Sequence, residues 1–385
     1  MSLNDGVKGQ VKIHQGLTQD DHNVGAISIL PDGRYLTAFA DHNYERISYF
    51  RISKHPHDPT SWQKVTTFNH KAPVTYSNLF TVISKSHHKL QPTEQQKTLI
   101  NFNRSVDYDP NLLTSNDNGK TWQYRGQLLG GDGRPYVRYA QGKEKVHFIV
   151  SDQHPRDFDN AIYHGSTDGD NIYSSFNKTI DTDITDNKPA EPNQLTLIHQ
   201  GKPSAVGWPV DLEVASDGHP YAIYSVQVNG QNRGELPVLD HRFFYAKFNG
   251  KNWKTNEIAY AGSSLYEWEQ DYTGLAALDP HNPNYIVIST NSDPVTGKAL
   301  ISQSDGKRHW ELYGGLTRDD GASWQWTALT ENSTSDNIRP IIPSWNNNKR
   351  IILWMRGTYA SYTDFSTQIV GITQQRQSPT VGVSK

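Results

Sequence analysis

The chain has 385 residues, enough for one large core or for two modest domains. It carries 37 lysine and arginine residues against 40 aspartate and glutamate residues, so its net charge of −3 gives no reason to expect a nucleic-acid or membrane partner. The absence of cysteine excludes disulfides, thiolate metal sites and cysteine nucleophiles, and no apolar run is long enough for a transmembrane helix.

The N-terminal segment MSLNDGVKGQ lacks a basic stretch followed by an apolar core, so no secretory signal is visible. We therefore expect a cytoplasmic protein, or the mature form of a secreted one. Helical periodicity is nearly absent. Short runs rich in β-branched and aromatic residues recur between clusters of Asp, Gly, Asn and Pro, and they include AISIL, YLTAFA, LFTVIS, KVHFIV, YAIYSV, YIVIST and IILWM. This pattern predicts an all-β protein.

The first two of these runs form a predicted hairpin that has the tripeptide Asp-His-Asn at both ends. Its loop PDG, residues 31–33, has the composition of a three-residue turn, with glycine at the left-handed position. If Leu30 pairs with Arg34, then His22 lies directly opposite His42, and opposed residues point to the same face. A two-residue loop would place the histidines on opposite faces. We predict the three-residue loop, so that two imidazoles meet at the open end of the hairpin.

Two octapeptides share a pattern of a hydroxyl residue, any residue, Asp, any residue, Gly, two residues and Trp. They are SNDNGKTW, from Ser115 to Trp122, and TRDDGASW, from Thr317 to Trp324, and weaker copies precede Trp62 and Trp253. This Asp-box pattern resembles the turns between outer strands in sialidase-like β-propellers. It predicts a propeller of four-stranded antiparallel blades, and it carries no chemistry itself.

Six blades can be counted directly if each begins with a strand that lines the central channel. These first strands are predicted to begin near His22, Tyr76, Pro135, Trp208, Tyr272 and Arg339. The N-terminal run VKIH is expected to form a strand that completes the last blade, and the longer units at 136–207 and 272–338 leave room for a seventh blade. Because no linker divides the chain, residues 1–385 are predicted to form a single β-propeller domain, and we expect a monomer.

Three neighbouring blades are predicted to send His, Tyr and Arg side chains toward one rim of the channel, because the start of the first strand and the end of the second share a face. These positions hold His22 and His42 in the first blade, Tyr76 and Arg104 in the second, and Arg134, Tyr136, Arg138, His154 and Arg156 in the third. Each residue has an ordinary alternative role: a lone histidine is more often a surface or hydrogen-bonded residue, Tyr76 could be a core aromatic, and Arg104 or Arg156 could be a solvated charge. Only their predicted position at one rim of the channel favours a functional site.

Side chains of these types, without paired carboxylates, suit removal of the C5 proton of a uronic acid in a polysaccharide. An arginine that binds the uronate carboxylate offsets its charge and stabilises the enolate-like intermediate. A histidine or a deprotonated tyrosine removes the proton, and a second such group protonates the departing glycosidic oxygen. The residues alone do not decide which group is the base. The elimination requires no cofactor, whereas glycoside hydrolysis would require two carboxylates that flank the bond.

These residues also resemble a known group of enzymes. The chain contains DDHN, a second histidine 20 residues after the first, a Thr-Tyr strand start and an arginine that closes the next strand. This pattern is similar to that of the propeller-type polysaccharide lyases, which include ulvan lyases and rhamnose–glucuronate lyases. RPYVRYA, HPR, GWPVDLEVASDGHPYAIYS and HRFFYAKFNGKNW extend the resemblance over most of the chain. The resemblance implies an anionic polysaccharide or oligosaccharide substrate. It also implies the residue roles, which are His22 and His42 in the active site, Tyr76 as an acid/base group, Arg104 on the uronate carboxylate, and Arg156, with Tyr136 and Arg138, as substrate-binding residues.

Two features depart from that group. The stretch SHHKLQPTEQQ lengthens the hairpin between Tyr76 and Arg104, at the end of the hairpin away from the rim. The family is seven-bladed, whereas six blades are counted here. Some members also carry a structural metal ion. In this chain a calcium or zinc ion would need His side chains and carboxyl or carbonyl oxygens as ligands, and the sequence does not place such a site.

Three other interpretations remain open. The Asp boxes and the sequence FRIS at residues 50–53 suggest a sialidase-like hydrolase, although FRIS lacks the proline of the sialidase motif Phe-Arg-Ile-Pro and falls on a predicted third strand. His22 and His42 could instead be metal ligands joined by Asp21 or Asp41. The chain could also be a carbohydrate-binding propeller without catalytic activity.

Overall fold

The computed structural model describes residues 10–83, 97–228, 240–266, 269, 271–345 and 348–376. Its regular structure is β-strand apart from two short 3-10 turns, Val106–Tyr108 and Pro192–Gln194. Within these ranges, no helix has the length and apolar character needed to cross a membrane. The extra stretch SHHKLQPTEQQ lies outside the described residues.

The strands form six antiparallel sheets in chain order, which we call blades 1 to 6. Blade 1 contains β1–β4, which are Ala26–Ile29, Tyr35–Ala40, Ile47–Ile52 and Thr66–Asn69. Blade 2 contains β5–β8, which are Thr75–Ile83, Lys97–Arg104, Pro110–Ser115 and Gln123–Gln127. Blade 3 contains β9–β14, which are Val137–Gln141, Val146–Ser151, Ile162–Thr167, Ile172–Ser174, Thr179–Asp181 and Thr196–His199.

The remaining three blades are also antiparallel sheets of strands consecutive in sequence. Blade 4 contains β15–β18, which are Val206–Val214, Pro220–Gln227, His241–Phe248 and Trp253–Gly262. Blade 5 contains β19–β22, which are Ala276–Asp279, Asn282–Thr290, Glu311–Leu316 and Gln325–Ala328. Blade 6 contains β23–β25, which are Asp336–Ile341, Lys349–Ser361 and Asp364–Gln375.

The protein is therefore an all-β propeller with six blades, and the direct count from the sequence is confirmed. The expectation of seven blades is wrong for the described chain. The extra length of the third unit does not form another blade, because its strands β12–β14 belong to the same sheet as β9–β11. The first strand of every blade begins within four residues of its predicted start.

Both Asp boxes form the turn between the third and fourth strands of a blade, as predicted. The carboxylate of Asp117 accepts hydrogen bonds from the backbone N–H and the hydroxyl of Thr121, at 2.9 and 2.6 Å. Asp319 accepts the same pair from Ser323, at 2.8 and 2.6 Å. These bonds close the turn locally, which explains why the same residue pattern recurs in two blades far apart in sequence.

Apolar clusters fill the space between each pair of successive blades from 1 to 6. Residues of neighbouring blades share these clusters, and pairs of members from blades 1 and 2 to blades 5 and 6 are Leu36 and Leu113, Phe102 and Phe148, Ile162 and Tyr224, Tyr245 and Ile286, and Val287 and Trp354. Burial of these side chains is the main contribution to the stability of the propeller.

The junction between blades 6 and 1 is different. Among the described residues, no apolar cluster contains residues from both blades. Ile27 and Ile29 of β1 and Ile369 of β25 remain more than half exposed. A carboxylate oxygen of Asp21 lies 2.5 Å from the Arg339 guanidinium of blade 6. This junction, which we call the seam, is therefore joined by polar contacts and, within the described residues, not by an apolar cluster.

The predicted N-terminal strand is not present. Residues 10–25 contain no strand, and the described part of blade 6 has three strands. The ring of His14 instead packs on Phe39 and Tyr49, with centroids 5.1 and 4.7 Å apart, and Arg51 donates a hydrogen bond to the carbonyl of Ile13. The N-terminal segment thus covers the face of blade 1 that is turned away from blade 2, because aromatic side chains on that face provide an apolar surface.

Candidate active site

The first hairpin has the predicted register. Ile29 pairs with Tyr35, and the N–H of Leu30 donates to the carbonyl of Arg34 at 2.8 Å. Beyond the open end of the hairpin, the rings of His22 and His42 stack with centroids 4.0 Å apart and an interplanar angle of 22°. The three-residue turn therefore does bring the two imidazoles together.

Asp20 holds both imidazoles. Its two carboxylate oxygens lie 2.6 Å from Nδ1 of His22 and 2.7 Å from Nδ1 of His42, and its side chain is buried. A second carboxylate, that of Asp21, lies 3.0 Å from the same nitrogen of His22. Because each Nδ1 is occupied, the Nε2 atoms are the nitrogens left for a ligand, and the orientation of each ring is fixed.

The two histidines have pKa values shifted in opposite directions. Burial acts to lower the pKa of His22, but hydrogen bonds and charge from Asp21 and Asp20 outweigh burial and raise it. Burial and the adjacent charge of His22 lower the pKa of His42, despite its bond to Asp20. The pair thus takes up its first proton at His22, and the second proton binds less readily.

Tyr76 and Arg104 come together at the open end of the β5–β6 hairpin. A bulge at the start of β5 interrupts the register, and Tyr76 adopts the left-handed φ of +63°, which is unfavourable for a non-glycine residue. The Arg104 guanidinium carbon lies 5.3 Å from the centroid of the Tyr76 ring and 4.0 Å from that of Tyr136. The bulge therefore directs the Tyr76 ring toward the channel. Strained backbone conformations of this kind cluster at functional sites.

Arg104 is a buried cation without a carboxylate partner among the described residues. Its side chain donates a hydrogen bond of 2.8 Å to the carbonyl of Pro135, and the residue is 8% exposed. Burial raises the pKa of Tyr76 to about 12, although the nearby Arg104 acts in the opposite direction, so the phenol keeps its proton at neutral pH. A buried guanidinium of this kind favours an anionic ligand.

Blade 3 contributes Tyr136 and Arg138 to the cavity, but it does not contribute Arg156. Arg156 instead forms an ion pair of 2.8 Å with Glu269, and it is not among the residues that line the cavity. The neighbouring ring of His154 is buried. Burial and the charges of Arg156 and Arg134 lower the pKa of His154 to about 3, so the ring is neutral.

Arg138 faces the channel two residues beyond Tyr136 on the same face of the strand. Its side chain is exposed to solvent while it lines the cavity. Among the described residues its guanidinium forms no hydrogen bond or ion pair. Arg138 is therefore a second cation in the cavity that can contact an anionic ligand.

The cavity has a volume of about 240 Å³ and draws its lining from all six blades and their connections. His22, Tyr76, Arg104, Tyr136 and Arg138 line it as predicted, while His42 stacks behind His22 and is not itself part of the lining.

Sequence reasoning did not assign a role in the site to four further residues, namely Asp20 beside the histidines and Trp208, Tyr272 and Arg339 in the cavity wall. A signal for the last three was present, because each marks the predicted start of a first strand.

Two of the other interpretations can be compared with these positions. FRIS lies on β3, the third strand of blade 1, and not at the channel, so it does not support a sialidase-like site. The metal interpretation named Asp21 or Asp41 as the linking carboxylate. The structure instead places one ligand atom each of Asp20, His22 and His42 within 4.8 Å of one another. The hydrogen bonds that both rings donate to the carboxylate of Asp20 account for this geometry.

The fold and the site define a six-bladed β-propeller with an arginine-rich cavity at the channel, beside an imidazole pair oriented by a carboxylate. Residues 5–261 match the model of the BNR repeat-containing family, and the chain belongs to that family. No curated protein matches the sequence.

Solved structures with similar folds include an ulvan lyase of the PL25 polysaccharide lyase family, bound to -[GlcA(1-4)Rha3S]-. It is 12% identical, with a TM-score of 0.62, and the match covers 92% of this chain and 80% of that one. The polysaccharide lyase Uly1 is 11% identical, with a TM-score of 0.51 and coverage of 91% and 77%. At these identities the likeness concerns the fold.

Proposed function

We propose that this protein is a polysaccharide lyase that cleaves a uronic-acid-containing polysaccharide by β-elimination. The observation that carries the proposal is Arg104, a buried guanidinium in the cavity wall with no carboxylate partner among the described residues. A uronate carboxylate satisfies this cation and is in turn partly neutralised by it. Neutralisation makes the C5 proton more acidic and stabilises the enolate-like intermediate.

His22 is the proposed base. Its Nδ1 is bonded to Asp20, so Nε2 is free to accept the C5 proton within the cavity that the residue lines. Because Asp21 and Asp20 raise the pKa of His22, the neutral base becomes available at a higher pH than for an ordinary histidine. His42 holds the ring by stacking and shares the carboxylate of Asp20.

Tyr76 is the proposed acid. Burial raises its pKa to about 12, so the phenol retains a proton that it can give to the departing glycosidic oxygen. The Tyr76 ring lies 5.8 Å from that of His22, and one sugar linkage in the cavity beside the two rings can therefore reach both. The products are a new reducing end and an unsaturated uronate.

The charge of the cavity and the fold both support an anionic polysaccharide as the substrate. The cavity contains Arg104 and Arg138 without carboxylate partners, which suits an anionic sugar chain. Two proteins with a similar fold are polysaccharide lyases, one of them bound to a glucuronate–rhamnose sulfate chain. We therefore propose ulvan-like or rhamnose–glucuronate polymers as substrates, and we propose that no metal ion takes part in the elimination.

The test is to incubate the protein with ulvan, gum arabic and other uronate polymers and to follow the ultraviolet absorbance of the unsaturated product. We expect absorbance to rise with at least one polymer. Arg104→Gln, His22→Ala and Tyr76→Phe should each reduce the rate at least a hundredfold, because each removes a group used in the transition state. His281→Ala, at an exposed histidine in the turn between β19 and β20, is the matched control and should retain full activity.

Other results would identify the alternatives. Polymer binding without unsaturated product would indicate a carbohydrate-binding propeller, and a new reducing end without absorbance would indicate hydrolysis. Loss of activity on chelation, restored by calcium or zinc, would contradict the proposal that no metal is needed. Reduction of the substrate carboxylates to alcohols should abolish cleavage, and unchanged cleavage would contradict the role of Arg104.

A further inference from the structure

An exposed aromatic residue recurs in the same loop of several blades. The loop between the second and third strands carries Tyr44 in blade 1, Tyr108 in blade 2, Phe158 in blade 3 and Tyr362 in blade 6, with exposures of 68%, 52%, 45% and 38%. The second strand of each blade ends on the face of the disc that holds the cavity, as His42 and Arg104 show. All four loops therefore lie on the same face as the cavity.

Tyr362 lies at the edge of the site. Its ring is edge-on to those of His22 and His42, with centroids 5.4 and 6.4 Å away. The carbonyl of Tyr362 accepts a hydrogen bond of 2.9 Å from the N–H of Asp21, which fixes the turn between β24 and β25 against the histidines. A sugar bound beyond the histidines would meet this ring.

Tyr108 stands beyond Arg104, four residues along the chain. Asp107 and Tyr108 are consecutive non-glycine residues with left-handed φ values of +57° and +60°. The strained turn is held by hydrogen bonds from the N–H of Tyr108 to Ser105 and from the N–H of Asp109 to Val106. Among the described residues, the Tyr108 side chain makes no hydrogen bond or ring contact that would explain the strain, and the ring remains exposed.

We propose that Tyr362 and Tyr108 are stacking platforms for sugar rings on the two sides of the cleaved linkage, so that the protein acts on internal linkages of a polysaccharide. This inference rests on the proposed function, and it adds the binding of sugars outside the cavity. A tyrosine ring offers a flat apolar face to the C–H groups of a pyranose, and it loses little conformational freedom when a ligand binds. The carboxylate at Arg104 orients the central uronate, and the neighbouring sugars extend toward the two rings.

The first experiment measures binding separately from cleavage. Affinity electrophoresis in gels that contain ulvan is performed with the Tyr76→Phe variant, in which the proposed acid is removed. Adding Tyr108→Ala or Tyr362→Ala should weaken binding about fivefold to tenfold, the range expected for one aromatic stacking contact. Tyr108→Phe and Tyr362→Phe should bind as the parent does, because the ring is retained. Phe176→Ala is the control, since Phe176 is 57% exposed but lies beside the turn between β9 and β10, on the opposite face.

The second experiment measures the position of cleavage. If the protein cleaves internal linkages, the viscosity of a cleaved polymer should fall steeply before much unsaturated product accumulates. Release of short products alone from the start would overturn the inference, as would alanine variants that bind like their parent or phenylalanine variants that bind as weakly as the alanine ones. Aromatic-dependent binding of ulvan, with no cleavage of any uronate polymer, would reject the lyase function and leave the stacking supported.

Discussion

Asp21 gives the histidine pair its chemical asymmetry. The carboxylate of Asp20 accepts a hydrogen bond from each imidazole, but His22 also contacts Asp21, whereas His42 does not. The additional negative charge favours the protonated form of His22, and that positive charge in turn disfavours protonation of His42. Two chemically identical side chains 4.0 Å apart therefore differ in proton affinity because of one neighbouring residue.

The pH dependence of the reaction follows from this asymmetry. If His22 is the base, kcat/KM should rise with pH through an apparent pKa above the usual histidine value of 6.5, since the raised pKa keeps the imidazole protonated below it. Asp20→Asn removes a charge that favours the imidazolium, so the rise should move to lower pH. The plateau should also fall about tenfold to a hundredfold, because the ring loses its orientation. Initial rates measured over a range of pH check both effects, and an unmoved rise would contradict the assignment of His22.

Prediction from sequence succeeded at this scale where local chemistry decides the position. The PDG loop determines the hairpin register, and the register places His22 against His42. Asp20 was missed because its position depends on a backbone turn in which the N–H of His22 binds the same carboxylate at 2.9 Å. The contact between Asp21 and Arg339 was also missed, because the two residues lie at opposite ends of the chain and meet only when the ring is complete.

The Asp box is the element whose structure followed most directly from its sequence. Asp, Gly and the hydroxyl residues form the same hydrogen bonds in blades 2 and 5, since the interactions lie within one turn. Its glycine also has a role that spans two blades. Gly321 has a φ of +84°, and a Cβ there would lie 2.5 Å from the ring of Tyr245 in the preceding blade. The turn therefore sets the spacing between neighbouring sheets.

This double role can be separated by two glycine substitutions. Gly321→Ala should destabilise the fold by about 2–4 kcal/mol, because it combines a strained φ with a clash against a buried ring. Gly218→Ala is the matched control, since its φ of +86° is similar but nothing lies within 4 Å of a Cβ. It should lose only about 1 kcal/mol, the cost of a left-handed φ. Denaturant unfolding measures both, and equal losses would show that the contact between blades has no effect.

At the scale of the whole molecule, the seam between blades 6 and 1 is where the sequence-based picture was least accurate. A strand from the N-terminus was expected to close the ring, whereas the six first strands were correctly placed from the pattern of β-type runs along the chain. The positions of the first strands along the chain indicate where each blade begins. They carry no information on how the first and last blades meet, which depends on side chains more than 300 residues apart, such as Asp21 and Arg339.

The seam also couples stability to the site, because Asp21 contacts both the catalytic candidate His22 and Arg339 of the last blade. Arg339→Gln removes the ion pair and leaves the buried carboxylate of Asp21 with only His22 and the Tyr359 hydroxyl as side-chain partners. Because no apolar cluster within the described residues joins these blades, we expect faster amide hydrogen exchange in β1 and in β23–β25, and unchanged exchange in blades 3 and 4.

Lys247→Met, which breaks an exposed ion pair of 2.7 Å with Asp320, is the control and should change exchange nowhere beyond its own strand. Uniformly faster exchange in all six blades would mean that the ring opens as one cooperative unit, and unchanged exchange at the seam would mean that polar contacts do not hold it closed.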